Sequence, residues 1–164
     1  MQISITPLIL AEEEDIQDLI RNAMSHYTEG TVAAATLRRL DKLFAIYSLP
    51  GSTMLIARNE TKLVGAAGLG PLHGLSTSEG IAELRDIVVE VSYRKQGIGA
   101  QLIDGCIEFA KSEGYKTLYL ETTPTMSGAQ RLFQRKGFRP VLEKRKDGST
   151  IIEDVPGYYI LENL

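Results

Sequence analysis

Val89-Glu90-Val91-Ser92-Tyr93-Arg94-Lys95-Gln96-Gly97-Ile98-Gly99-Ala100 leaves a β-branched run, crosses a short polar passage and opens an amphipathic segment. Leu102, Ile103, Cys106, Phe109 and Ala110 follow at helical spacing. The two glycines therefore stand where a strand turns into a helix. Without a Cβ they leave backbone N–H groups unobstructed beside the positive end of the helix dipole. Such a turn suits phosphate or pyrophosphate, and Arg94 and Lys95 add fixed positive charge at its mouth. The same residues also suit an ordinary loop in which glycine eases the turn. Two other phosphate motifs are excluded. No Gly-x-x-x-x-Gly-Lys-Ser/Thr occurs, and Leu102 replaces the third glycine of a dinucleotide fingerprint.

Upstream, Ile81 to Val89 reads as a strand on which Glu83, Arg85 and Ile87 share one face and Leu84, Asp86 and Val88 the other. Met54 to Ala57 and Leu63 to Ala67 read as a hairpin around Asn59-Glu60-Thr61, and Gly70 to Gly80 as a loop. Gln2 to Leu8 is a strand. A helix follows, with acidic Glu12 to Asp15 at its start and Ile16, Leu19, Ile20, Ala23 and Met24 on one face. A second helix runs through Leu37, Leu40, Leu43 and Phe44 to Pro50-Gly51. Downstream, Leu118 to Leu120 is a strand, and a helix bearing Ala129, Leu132 and Phe133 stops at Gly137. Two last strands flank Lys146-Asp147-Gly148-Ser149. The order β-α-α-β-β-β-α-β-α-β-β predicts a mixed central sheet of the α/β (α+β) class.

The 164 residues suit a single domain over 1–164. Hydrophobic residues at 43% and charged residues at 24% exclude disordered, collagen-like and coiled-coil classes. The net charge of −3 shows no basic excess for nucleic acid or an anionic membrane. Cys106, the single cysteine, excludes an internal disulfide and, with no signal-peptide pattern at Met1 to Ser4, points to the cytoplasm. Cys106 sits on an apolar helix stripe and reads as core. His26 and His73 lie far apart without a companion cysteine, so no metal site is expected.

Arg94-Lys95-Gln96-Gly97-Ile98-Gly99 resembles the Arg/Gln-x-x-Gly-x-Gly/Ala motif that follows the fourth strand in the GNAT superfamily of N-acetyltransferases. Leu132-Phe133-Gln134-Arg135-Lys136-Gly137-Phe138 is similar to that family's second block, and the element order is also the family's. The resemblance implies transfer of an acetyl group from acetyl-CoA to a primary amine, by direct attack in a ternary complex. It implies that pantetheine pairs with Ile87, Val88 and Val89, which parts from the next strand. The pyrophosphate would rest on amides from Arg94, Lys95, Gln96, Gly97, Ile98, Gly99 and Ala100. It makes Glu121, at the end of the fifth strand, and Glu83, on the fourth, the candidate catalytic bases; each also suits a solvated or paired carboxylate.

Two positions depart from the family's pattern and flank the same cofactor groove. Phe133 stands where many members carry a tyrosine proposed to protonate the CoA thiolate, and Met126 where an asparagine is common. Phenylalanine packs but donates no proton. Tyr158 and Tyr159 are substitutes to consider, beside a plain packing role. These departures keep a second reading open, a non-catalytic CoA-binding sensor. A protein acceptor and a homodimer also stay open.

Overall fold

The computed structural model describes residues 1–25, 34–72, 79–122, 127–141 and 158–164, with the side chains of 34–36 and 127 set aside. Its strands are β1 (Ile3–Pro7), β2 (Thr53–Asn59), β3 (Lys62–Pro71), β4 (Ile81–Val89), β5 (Thr117–Glu121), β6 (Arg139–Pro140) and β7 (Tyr158–Glu162). The helices are α1 (Glu13–Ser25), α2 (Ala34–Leu40), α3 (Leu43–Tyr47), α4 (Ile98–Ser112) and α5 (Ser127–Arg135). One seven-stranded sheet runs in the order β1-β2-β3-β4-β5-β7-β6. Every neighbouring pair is antiparallel except β4 and β5, which α4 connects. The expected mixed sheet is borne out.

Helices cover both faces of the sheet, and the apolar runs show why. Along β2, Leu55 and Ala57 enter one core while Met54 and Ile56 enter the other. A central strand buried on both sides needs a continuous apolar stretch. One core packs Leu102, Ile103, Cys106 and Ala110 of α4 beside Leu69, Leu84, Leu118 and Leu120. The other packs Ile16 and Ile20 of α1 and Leu43 and Tyr47 of α3 beside Ala66 and Val88.

Three expectations need correction. The second predicted helix is two, because α3 starts afresh: the Glu13 carboxylate of α1 accepts the Phe44 backbone N–H at 2.7 Å. Such a long-range cap has no local signature. Gly70 belongs to β3, paired with Glu83, and not to a loop. The face assignment along β4 is also wrong beyond Arg85. The β3–β4 register shifts between Ala66 and Gly68, and Asp86 takes a left-handed φ of 53°. An extra residue in one strand puts two neighbours on the same side. Arg85 and Asp86 accordingly both lie against Tyr47. Glu83, Arg85, Asp86 and Val88 share the α1–α3 side, while Ala82, Leu84, Ile87 and Val89 pack toward α4. The predicted turn at Lys146 to Ser149 lies outside the described residues; β6 and β7 themselves pair antiparallel.

Asp86 is locked in that position. Its carboxylate accepts Arg39 Nε at 2.8 Å, Arg39 Nη2 at 2.7 Å and the Tyr47 hydroxyl at 2.5 Å. The Asp86 side chain is fully buried, and Arg39 is mostly so. Removing one member of a buried pair strands the other charge. Asp86→Asn is expected to lower stability by about 3–5 kcal/mol, read as an earlier urea midpoint at unchanged slope.

Candidate active site

β4 and β5 pair only over Ile81–Leu84 and Thr117–Leu120. Beyond Leu84 the side of β4 that faced β5 has no strand opposite among the described residues, and its polar backbone groups need other partners. The opening is a cavity of about 650 Å³, ordinary for a small-molecule site. Ile87, Val88 and Val89 form one wall, the turn into α4 the end, and α5 the other wall.

At that turn Lys95 and Gly97 both take left-handed φ values, 60° and 82°. Alternating backbone hands of this kind turn successive N–H groups into a concavity that suits anions. A Cβ on Gly97 would meet nothing within 4 Å, whereas one on Gly99 would lie 3.2 Å from Leu132 Cδ2. Gly97 thus answers a backbone requirement and Gly99 a close approach of α4 to α5. Arg94 donates from Nε to the Val89 carbonyl at 3.1 Å, tying the turn to the end of β4.

Ten of the expected cofactor residues line this cavity: Ile87, Val88, Val89, Arg94, Lys95, Gly97, Ile98, Gly99, Ala100 and Phe133. Gln96 is not among the lining residues; its amide donates to the Ser92 carbonyl at 3.3 Å and so braces the turn. Met126 lies outside the described residues. Six lining residues were not among those expected from the sequence: Tyr93, Gly128, Ala129, Arg131, Leu132 and Arg135. Arg131 and Arg135 sit at i and i+4, so one cationic stripe of α5 was open to detection. With Arg94 and Lys95 they give the lining four cations and, among the described residues, no carboxylate. A lining of this charge suits an anion.

The carboxylates lie on the other face of the sheet. Leu118 and Leu120 enter the α4 core, so by alternation Tyr119 and Glu121 point away from it. Glu83 pairs in register with Tyr119. Burial raises the Glu83 carboxyl above its usual range; Glu121 and Asp86 push it further, while Arg85 and Arg39 oppose them. The two candidate bases are thus close enough to feel each other. Tyr119 donates to Glu121 Oε1 at 3.4 Å and stacks on Tyr158 with ring centroids 5.6 Å apart. Burial pushes the Tyr119 phenol up, and the Glu121 charge adds to it. Tyr158 and Tyr159 separate: Tyr158 joins this face, whereas Tyr159 is buried with its ring centroid 6.5 Å from that of Phe133. Phe133 also meets Phe138 edge-on at 5.9 Å.

The model of the acetyltransferase (GNAT) family matches residues 16–138, and the chain belongs to that family. It is accordingly an acetyl-CoA-dependent acyltransferase by class. The N-acetyltransferase YjgM of Escherichia coli (strain K12) is 29% identical over 136 residues, 82% of this chain and 80% of that protein. Human N-acetyltransferase 8 is 32% identical over 89 residues, 54% of this chain and 39% of that longer protein. Among solved structures, a GNAT acetyltransferase of Staphylococcus aureus Mu50 superposes with a TM-score of 0.79 at 22% identity, covering 98% of this chain and 99% of its own. The yncA protein of Salmonella typhimurium, solved with its cofactor acetyl-CoA, gives 0.76 at 18% identity, covering 99% and 94%. At these identities the two structures speak for the fold.

If the turn into α4 grips an anion through its amides, charge there matters more than bulk. Gly97→Asp is expected to bind acetyl-CoA about tenfold more weakly than Gly97→Asn, which tolerates the same backbone. Titration calorimetry on the two variants reads the difference.

Proposed function

We propose that residues 1–164 act as one catalytic unit that moves the acetyl group of acetyl-CoA onto a primary amine, of a small molecule or of a peptide or protein. The observation that carries this reading is that β4, where it parts from β5, separates two unlike surfaces. One is a cation-lined cavity and the other a face bearing Glu83 and Glu121. The Salmonella relative's cofactor supports the same donor for this chain.

Acetyl-CoA supplies an acyl group activated as a thioester. Ile87, Val88 and Val89 hold the donor's pantetheine arm along the open edge of β4, and Arg94 through Ala100 hold its diphosphate. Arg131 and Arg135 add charge from α5. A backbone N–H near Val89 faces the carbonyl oxygen as negative charge develops there. Glu83, directly or through water, takes the proton that an ammonium must lose before it attacks. Glu121 is the second candidate for that proton. Its negative charge raises Glu83, and a stronger base results.

Direct attack is favoured over an acyl-enzyme. Burial pushes the Cys106 thiol up to about 12, and its Sγ lies against the Ala67 carbonyl inside the core. A thiol so protonated is a poor nucleophile. Phe133 supplies no acid for the departing thiolate, and the buried Tyr159 is its aromatic neighbour. A thiolate of modest basicity leaves without one. The single cysteine and the absence of a basic excess support a cytoplasmic setting without nucleic acid. Among the described residues no helix is long and apolar enough to cross a membrane.

Phe133 also supports the second reading, a CoA-binding sensor. Acetyl-CoA and a panel of amines, followed by release of free thiol, separate the two. Tight binding with no thiol from any amine favours the sensor. For the enzyme, Glu83→Gln and Glu121→Gln are expected to lower kcat about 10²-fold or more at the residue that is the base, with acetyl-CoA affinity nearly kept. Because Glu83 works ionised and its carboxyl is raised, kcat/KM should fall as pH drops through a value above the ordinary carboxylate range. That acid limb should vanish in Glu83→Gln; an unchanged profile assigns the proton elsewhere.

A further inference from the structure

Two arginines stand on the face that carries Glu83, and they differ in what they touch. Arg39 gives both arms of its guanidinium to Asp86. Arg85 takes part in none of the ion pairs among the described residues. Its Nε is buried and has no hydrogen-bond acceptor there. A buried charged donor without an acceptor is costly, so its retention at a built position points to a ligand that supplies one.

The position is built. Arg85 Cζ lies 5.4 Å from the centroid of the Tyr47 ring, and the Tyr47 hydroxyl is held by Asp86. Beneath the guanidinium is Gly70 of β3, where any Cβ would sit 2.4 Å from Arg85 Nη2. Next to it is Gly68, where a Cβ would sit 2.3 Å from Tyr47. Two glycines on one strand thus make room for the ring and for the cation above it. A contact through the ring face orients the guanidinium without using its hydrogen-bonding edge. A planar fork left open in this way matches a planar two-oxygen acceptor.

The neighbouring charges narrow the ligand. Glu83 is two residues along the same face, and Glu121 is near enough to act on it. Two carboxylates repel a multiply charged phosphate but attract an ammonium. A cation beside them attracts a single carboxylate. We propose that Arg85 receives a carboxylate of the acceptor, so that the substrate is an amino carboxylic acid whose ammonium group meets Glu83 and Glu121. This inference rests on the amine-acetylation reading and names its substrate class.

The test offers the whole chain, with acetyl-CoA, a set of small amino acids and the carboxamide of each, and follows thiol release. Free acids are expected to exceed their amides by about tenfold or more in kcat/KM, mostly through KM. Arg85→Gln should bring that ratio close to one, and Arg85→Lys should recover part of it. Gly70→Ala, which displaces the guanidinium without removing it, should shrink the ratio as well. A purely structural Arg85 would lower acids and amides alike and leave the ratio intact. That result, or equal rates for acid and amide in the parent chain, overturns the assignment while leaving amine acetylation standing. Absence of thiol release from every acid and every amide overturns amine acetylation itself, and this assignment with it.

Discussion

A buried aspartate on a strand that turns its backbone the wrong way organises both halves of the site. Asp86 sits at φ 53°, a hand that few side chains other than asparagine and aspartate accept. Arg39 and Tyr47 hold it there from α2 and α3. The inserted residue lets Arg85 and Asp86 point the same way, and every later side chain on β4 is reversed. Ile87 and Val89 therefore face the cavity beside α4, while Glu83 and Arg85 stay on the opposite side. One strand presents side chains to two different surfaces because its alternation is broken once.

The parting of β4 from β5 completes the arrangement. The strands pair for four residues and then diverge, which opens the sheet instead of one of its faces. An edge exposed in the middle of a sheet would ordinarily invite another chain. Here α4 and α5 wall it, with four arginine and lysine side chains along the lining. Among the described residues the lining carries cations and no carboxylate, whereas Glu83 and Glu121 lie on the other face together with Arg39 and Arg85.

Much of this was legible in the chain. Ile81 to Val89 reads as a strand from its β-branched end and is one, to the residue. Gly97 and Gly99 announce the turn because glycine tolerates what that backbone and that packing demand. Gly137 ends α5 with φ 93° and leaves the Phe138 N–H on the Phe133 carbonyl at 3.0 Å. These signals are local. The split of the second helix, the place of Gly70 in a strand and the reversal at Asp86 are not. Each depends on a partner distant in sequence: Glu13 for Phe44, Glu83 for Gly70, Arg39 and Tyr47 for Asp86.

The sequence by itself determined the alternation of strands and helices, the mixed character of the sheet and the glycine turn into α4. All three follow from spacing and from the few residues that a given backbone permits. Only the tertiary structure decided which side of β4 each charge occupies. A strand's alternation can be read from its residues until a bulge interrupts it, and the bulge survives because of side chains from another part of the chain. The pairing of Arg39 with Asp86, and with it the freedom of Arg85, is a fact of three dimensions.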